Sequence, residues 1–564
     1  MGHERDNYWK RRLSRRSVLA SGTAAGTGLV AASLVGCGDD DDDDDDGGSS
    51  AQPTTAAANP TAAATPTQGP KRGGELKISL SAQTGHMHPQ QSGGSELVRY
   101  NVYDHLVLWD FNNDKPDFIA AESYETPEPT RLIYHIRQAA NWQNIDPLNG
   151  RTVTSQDIDT SWKNYAADPK ATGATTIHKV LTDHRETPEA KILVQVFKAP
   201  SVPIFGPHGI AGPIPSLFAP PELWESGQLG TKAVGSGAYV VEKFDGTSEI
   251  VLRRRPDSWN GLERPYIDKI TQKVITDEAA RAAALRAGQL DVLVARDKIQ
   301  ADEFKSYNAK IVIDKQVDFP AVLMMHAGKP PFSDPRVRQA IYAGLDIQDL
   351  IDRVVLGEGF YSSFVPPFLA ADALPEAEVK KRFPHDVKKA KDLLTAAAYD
   401  TSQEIELKFP SDPVSQTLVE TLQQQLAAIG IKTKLIPQDP TTVWAAQTVG
   451  TKKNFVLTAA YQYTRGLDAD QWLGNQYKNG NGNGNACDWA NDETDALFEK
   501  SRVEFDRNAR HEILIEMQKK LFDAAAPWIN LYAPIRFTAR WNRYHPVNDR
   551  GHAGTLGHYH WLES

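Results

Sequence analysis

The residues best suited to holding a ligand lie in the stretch 461–473, which reads YQYTRGLDADQWL. The stretch combines three aromatic rings, two carboxylates and one guanidinium, from Tyr461, Tyr463, Trp472, Asp468, Asp470 and Arg465. Aromatic rings offer flat apolar surface, and a guanidinium donates paired hydrogen bonds to carboxylates or phosphates. Two interpretations stay open: Arg465 contacts a ligand, or it forms an ion pair with Asp468 or Asp470.

Motifs that transform a substrate are incomplete. His511-Glu512 begins like a zinc-protease helix, but Ile515 stands where the second histidine belongs. Residues 110–114 (DFNND) begin like a calcium loop, but Lys115 occupies the glycine position. We therefore expect no catalytic residues, no cofactor and no metal, and a protein that binds a molecule without changing it.

His86 and His88 are separated by one residue, so on a strand their imidazoles would share one side. Two ligands without a third make a weak metal site, and a polar loop is the simpler interpretation. We retain His86 as a candidate ligand contact.

Length, hydrophobic content and net charge limit the number of domains and the classes of partner that we expect. The chain has 564 residues, 40% of them hydrophobic, which is enough for two or three domains. Its formal net charge is -10, and the aspartates of residues 39–46 supply most of the acidity. A mildly acidic body gives no electrostatic argument for nucleic acid as a partner.

The N-terminus has the pattern of an export signal. Residues 14–19 (SRRSVL) resemble a twin-arginine signal, and residues 34–37 (LVGC) resemble a bacterial lipobox. This predicts removal of residues 1–36, a lipid on Cys37 and an acidic, Pro/Thr/Ala-rich tether over 37–70. A transmembrane helix is the alternative, but the many small residues would make poor bilayer contacts.

The elements that must position the binding stretch follow from Lys71 onward. Alternating apolar residues predict strands in the first half of the body, at GGELKISL, RLIYHIR, ILVQVFK, AYVVEKF and EIVLRRR, the last two as a hairpin. Helices are predicted at about 278–289, 334–346, 491–503 and 508–524. Residues 404–437 predict a strand–helix–strand unit with parallel strands. INLYAPIRFTARW is predicted to be extended. The change from strand-rich to α/β character predicts two lobes, joined by more than one crossing, with a cleft between them.

Short segments spread over residues 72–540 carry a family resemblance. They are GGEL (73–76), VYDHL (102–106), AAESY (120–124), GSGAY (235–239) and PFSDPRVRQA (331–340). In this order the body resembles the extracellular solute-binding proteins of ABC importers, the type that includes oligopeptide-, dipeptide- and nickel-binding members.

The resemblance implies an α/β, two-lobed periplasmic-binding-protein-like fold. Lobe I would comprise 71–319, with an inserted subdomain at about 100–230, lobe II would comprise 320–530, and 531–564 would return to lobe I. The protein would be a lipid-anchored monomer outside the membrane that captures a peptide or peptide-like solute for an ABC permease. Alternatives are a non-peptide solute such as an oligosaccharide, an anion or a metal complex, an exported hydrolase, or a receptor that signals.

The resemblance also bears on Arg465. The segment DADQWL resembles the family's DPDNFL, and peptide-binding members usually carry an aspartate about three residues upstream, which pairs with the peptide's α-amine. Arg465 occupies that position here, and a guanidinium would repel an ammonium group. The ligand would then present a carboxylate, a phosphate or sugar hydroxyls to it.

Overall fold

The computed structural model describes most of the body. The described residues are 13–14, 71–91, 93–110, 115–171, 176–205, 210–211, 216–259, 265–448, 453–461, 468–477, 485–546 and 560–563. Cys37, Tyr463 and Arg465 lie outside them. None of the helices in these ranges is both long and apolar enough to cross a membrane.

The N-terminal half is rich in strands, as predicted. Its strands are β1 Leu13–Ser14, β2 Glu75–Leu80, β3 Val107–Asp110, β4 Lys115–Phe118, β5 Ala121–Glu128, β6 Arg131–Ile136, β7 Thr182–Glu189, β8 Ile192–Phe197, β9 Tyr239–Asp245, β10 Glu249–Arg254, β11 Lys269–Val274, β12 Val292–Val294 and β13 Ile311–Val317. Its α-helices are α1 Glu96–Val102, α2 Ser155–Ala167, α3 Pro221–Glu225, α4 Glu278–Arg286 and α5 Lys298–Tyr307. A π-helical segment, Thr176–Leu181, and a 3-10 helix, Val202–Phe205, complete this half.

Two sheets contain nine of these strands, whereas β3 pairs with β4, and β12 and β13 belong to the eight-stranded sheet of the C-terminal half. One has the order β1-β5-β6-β8-β7 and is antiparallel throughout. The other has the order β2-β11-β10-β9, in which β2 and β11 are parallel and β9 and β10 form the predicted hairpin. The five strands predicted from alternation in this half are therefore confirmed.

The C-terminal half alternates helices and strands. The strands are β14 Ala321–Met325, β15 Gly359–Tyr361, β16 Glu404–Pro410, β17 Lys432–Gln438, β18 Leu457–Tyr461, β19 Trp528–Trp541, β20 Tyr544–His545 and β21 Trp561–Leu562. The α-helices are α6 Pro335–Gly344, α7 Ile347–Val355, α8 Glu376–Arg382, α9 Val387–Ala396, α10 Pro413–Ile429, α11 Ala469–Tyr477, α12 Asp492–Val503 and α13 Arg507–Asp523. A 3-10 helix, Pro367–Leu369, and a π-helix, Pro440–Thr448, lie between them.

The unit β16–α10–β17 shows why this half is predictable. The Asp412 side chain accepts a hydrogen bond from Ser415 N and starts α10, and Pro413 occupies its first turn. Gly430 ends the helix with φ 103°, a conformation that suits glycine. Strands β16 and β17 then pair in parallel register, which confirms the prediction.

The buried side chains form two large clusters that match the two halves. One gathers residues between Leu76 and Ile270 together with Tyr544, and the other gathers residues between Ala321 and Tyr532. The chain passes between them at residues 318–320, from β13 to β14, and again along β19. Residues 528–532 of β19 pair with β14, whereas residues 535–541 pair with β13. The two halves are therefore joined by two adjacent extended segments, which are suited to act as a hinge.

Candidate functional site

A pair of tyrosines lies on the eight-stranded sheet that contains β14, β18 and β19, at the end nearest the crossings. Tyr461 is the last residue of β18 and pairs with Ala321, the first residue of β14, which also pairs with Tyr532. The hydroxyl oxygens of Tyr461 and Tyr532 lie 2.6 Å apart. Burial raises the pKa of Tyr532 well above its ordinary value, so its hydroxyl stays neutral. Ligands of α/β sheets bind beyond the carboxyl ends of parallel strands, and β18 ends here.

Trp472 lies beside the same crossing. Its side chain is fully buried in α11, and its ring centroid is 6.2 Å from that of Phe319 and 6.0 Å from that of Phe368. We call these three residues the aromatic junction. Phe319 belongs to the crossing segment, so Trp472 supports the hinge directly. Its further role as a ligand contact stays a prediction.

A small cavity adjoins the aromatic junction. It has a volume of about 10 Å³ and is lined by Gln316, Val317, Asp318, Phe319, Phe368 and Arg536. Such a volume accommodates about one water molecule. Arg536 donates a hydrogen bond to Gln316 and lies 3.8 Å from a carboxylate oxygen of Asp318. The crossing between the halves is therefore tightly filled in this structure.

The two aspartates of the binding stretch have arginine partners that are distant in sequence. Asp468 Oδ1 accepts hydrogen bonds from Arg510 Nη2 at 3.2 Å and from the backbone N–H of Asp470 at 2.7 Å. Asp470 Oδ1 lies 3.1 Å from Arg502 Nε. Burial raises the pKa of Asp470 to about 7, although Arg502 opposes this shift. Both carboxylates sit in or beside the first turn of α11, where the helix dipole favours negative charge.

Arg510 joins three segments. Its Nε donates to Ser501 O at 3.2 Å, its Nη2 donates to Asp468, and its Nη1 lies 4.0 Å from Asp372 Oδ2. Burial raises the pKa of Asp372. His511, which suggested a zinc-protease helix in the sequence, lies with Nδ1 3.9 Å from Asp372 Oδ1. The sequence did not predict Arg502 or Arg510 at this site, since only the folded chain brings α12 and α13 against α11.

His86 lies in the loop after β2, in the other half of the chain. Its Nδ1 accepts a hydrogen bond from the backbone N–H of His88 at 3.1 Å, and His88 Nδ1 accepts one from Gln90 N at 3.2 Å. An Nδ1 atom that accepts leaves the ring proton on Nε2, so neither neutral imidazole has a free lone pair for a metal. Burial against Trp224 lowers the pKa of His88 to about 4. Within the described ranges, no group of three or more histidine, cysteine, aspartate or glutamate residues could hold a metal ion.

The structure thus brings some predicted site residues together. Tyr461 and Trp472 lie beside the crossing segment, Asp468 lies at the start of the helix that carries Trp472, and His86 belongs to the opposite half. Their ligand contacts remain predictions. One interpretation of Arg465 is an ion pair with Asp468 or Asp470. The structure shows other arginines beside these carboxylates, since Arg510 approaches Asp468 and Arg502 approaches Asp470.

Comparison with known proteins identifies related chains. Residues 116–484 match the bacterial extracellular solute-binding proteins, family 5 Middle. Over 235 residues the chain is 28% identical to the glutathione-binding protein GsiB of Salmonella choleraesuis, a match that covers 41% of this chain and 44% of that protein. The chain therefore matches less than half the length of this curated relative.

Solved structures share the architecture. The ABC transporter-associated periplasmic binding protein DppA from Helicobacter pylori, in complex with the peptide STSA, has a TM-score of 0.72 at 19% identity, covering 88% of this chain and 99% of that one. The protein AgaA of A. tumefaciens, in complex with agropinic acid, has a TM-score of 0.70 at 23% identity, covering 87% and 99%. The predicted two-lobed α/β fold is confirmed. We refer to the N-terminal half as lobe I and to the C-terminal half as lobe II, and the assignment of residues to the lobes, with boundaries at 319/320 and 530/531, remains a prediction.

Proposed function

Because the chain belongs to the bacterial extracellular solute-binding proteins of family 5, we propose that it is the substrate-binding component of an ABC importer. It captures a peptide or peptide-like solute outside the membrane and delivers it to a permease. The observation that carries the proposal is the pair of crossings at 318–320 and along β19, with Tyr461 and Trp472 placed beside them. A hinge lined by rings suits capture of a solute by lobe closure.

We also propose that the solute presents an anionic group to Arg465. Arg465 stands where peptide-binding relatives are expected to carry an aspartate for the α-amine. Two carboxylates that could have neutralised it, Asp468 and Asp470, lie 3.2 Å and 3.1 Å from the guanidinium groups of Arg510 and Arg502. Arg465 then contacts a carboxylate or another anionic group of the solute. A solute other than a peptide is the second candidate, which the name of AgaA's ligand, agropinic acid, supports.

The N-terminal sequence pattern supports a cellular location for the protein, on the outer face of the membrane. A twin-arginine signal exports the folded chain, cleavage precedes Cys37, and a lipid on Cys37 anchors the protein to the outer face of the membrane. Residues 38–70 form the tether between that lipid and the two lobes. The protein is proposed to act as a monomer that binds its solute without catalysing a reaction.

The test combines identification and titration. Mass spectrometry of the solute that copurifies with the full-length protein defines its class, and thermal shift measures binding. Four probes separate the candidates: a free tetrapeptide, its N-acetylated form, its C-amidated form and agropinic acid. We expect tolerance of N-acetylation, weakening on C-amidation and loss of binding in the Arg465→Asp variant.

Other results would contradict specific parts of the proposal. Binding that is abolished by N-acetylation and unchanged in Arg465→Asp would remove Arg465 from the site. Turnover of a bound probe would favour the exported hydrolase. Normal solute uptake by cells that lack the cognate permease would contradict the importer and favour a receptor that signals. The exposed Arg353, whose side chain is 46% exposed, provides the matched control Arg353→Asp.

A further inference from the structure

Phe505 is a lobe II residue that packs into lobe I. It lies in the turn of residues 504–506, between α12 and α13, which we call the latch turn. Its ring centroid is 6.4 Å from that of Phe205, which is 2% exposed at the end of a 3-10 helix of lobe I. Phe205 in turn lies 6.5 Å from Phe197 of β8. Phe505 therefore makes an apolar contact between the lobes that is separate from the crossing segments.

The latch turn is held in one conformation. A carboxylate oxygen of Glu504 accepts a hydrogen bond from Asp506 N at 2.8 Å, and Asp506 caps α13 by accepting from Ala509 N at 2.9 Å. Arg510 closes the base of the turn with its 3.2 Å bond to Ser501 O. These bonds fix the backbone on both sides of Phe505. Little conformational entropy is therefore lost when its ring packs against lobe I.

The latch turn is also tied to α11. Arg502 precedes the turn and lies 3.1 Å from Asp470, and Arg510 follows it and lies 3.2 Å from Asp468. Helix α11 carries Trp472, which stacks on Phe319 in the crossing segment. The hinge side of lobe II and the latch turn are thus connected through one helix.

We propose that Phe505 is a closure-determining residue, an apolar contact that stabilises the closed lobes without touching the solute. Its ring is covered by lobe I only when the lobes meet, so its burial favours the closed arrangement over the open one. Solute affinity then depends on how much of the closed arrangement exists before binding. The inference rests on the proposed solute-binding function but not on the identity of the solute or on Arg465.

The experiment measures the distance between lobes without solute. Spin labels are attached to the full-length protein at I145C in lobe I and V414C in lobe II, which are 39% and 37% exposed, in a C37A background. Pulsed dipolar spectroscopy gives the ratio of short to long distances. We expect F505A to lower the closed-to-open ratio about tenfold and F505L to retain most of it. The control V503A changes a side chain 55% exposed on α12 and leaves the ratio unchanged.

Specific outcomes overturn the proposal. Equal distance distributions for F505A, V503A and the parent would show that Phe505 has no effect on closure. An effect of V503A equal to that of F505A would assign the change to the helix end. Near-ultraviolet circular dichroism verifies folding. If F505A does not fold, F505Q, which keeps the side-chain length but removes the apolar ring, takes its place and should also lower the ratio. A failed solute panel with an intact F505A effect would contradict the proposed function alone.

Discussion

Replacing Arg510 with methionine tests the charged cluster of lobe II most directly. The Arg510 side chain is 11% exposed, and its partner Asp468 is 15% exposed at 3.2 Å. Methionine keeps much of the aliphatic volume but removes the guanidinium. The carboxylates of Asp468 and Asp372 would then remain in a largely buried site without their principal cation.

The magnitude follows from burial. Removing one partner of a buried ion pair costs about 3–5 kcal/mol, because the remaining charge has lost its compensation. Asp468 keeps its hydrogen bond from Asp470 N and the field of the α11 N-terminus, so we expect the lower end, about 3 kcal/mol. The matched control is Lys388→Met. Lys388 is 86% exposed and bonds Asp392 at 2.7 Å, so solvent screens this pair and its loss should leave the free energy of unfolding almost unchanged.

Urea denaturation of the full-length protein, monitored by tryptophan fluorescence, gives the free energy of unfolding of both variants. The loss of unfolding free energy in Arg510→Met should become smaller between pH 8 and pH 5, because burial already raises the pKa of Asp372 and removal of Arg510 lets this carboxyl take up a proton. A loss no greater than that of Lys388→Met would refute the reasoning, as would a loss that does not change with pH. Either result would mean that water or another group compensates the carboxylates.

Two further predictions concern single positions in lobe II. Burial raises the pKa of Asp470 from 3.8 to about 7, so the folded state binds this proton more tightly between about pH 4 and pH 7. The free energy of unfolding should therefore fall as pH rises through that window, by at most about 4 kcal/mol, and Asp470→Asn should flatten the fall in a pH series of urea titrations. Gly430→Ala should cost about 1 kcal/mol, because φ is 103° although the nearest atom to an added Cβ, Thr401 Cγ2, is 3.8 Å away. Thermal unfolding measures it, and an unchanged midpoint would contradict the role of φ.

The fold could be predicted where its determinants are local. The residues that start and end α10, Asp412 and Gly430, are adjacent to the helix in sequence. The alternation that predicts β9 and β10 is likewise contained within each strand. Hydrophobic period and capping chemistry act over this range, so the sequence contains the information in readable form. The same reasoning explains the agreement for α12 and α13, which begin at the capping residues Asn491 and Asp506.

The candidate site could be predicted only in part, because its contacts are distant in sequence. Trp472 looked like an available ring, yet its neighbours Phe319 and Phe368 come from segments more than a hundred residues away. Arg510 meets Asp468 across 42 residues. No local spacing indicates such pairs. An arginine at the start of an amphipathic helix, such as Arg510 in α13, reads as a solvent-exposed residue until the packing of α11 is known.

Asp470 can distinguish the two interpretations of Arg465. A counterion of a buried carboxylate lowers the carboxylate's pKa, and replacing that counterion with an acid raises it. If Arg465 balanced the aspartates, Arg465→Asp would move the pH window of the Asp470-dependent stability upward in the absence of solute. If Arg465 contacts the solute, the same variant should lose binding and leave that window unchanged. The two readouts come from one variant but depend on different atoms, so the stability of lobe II decides which role Arg465 has, independently of the solute.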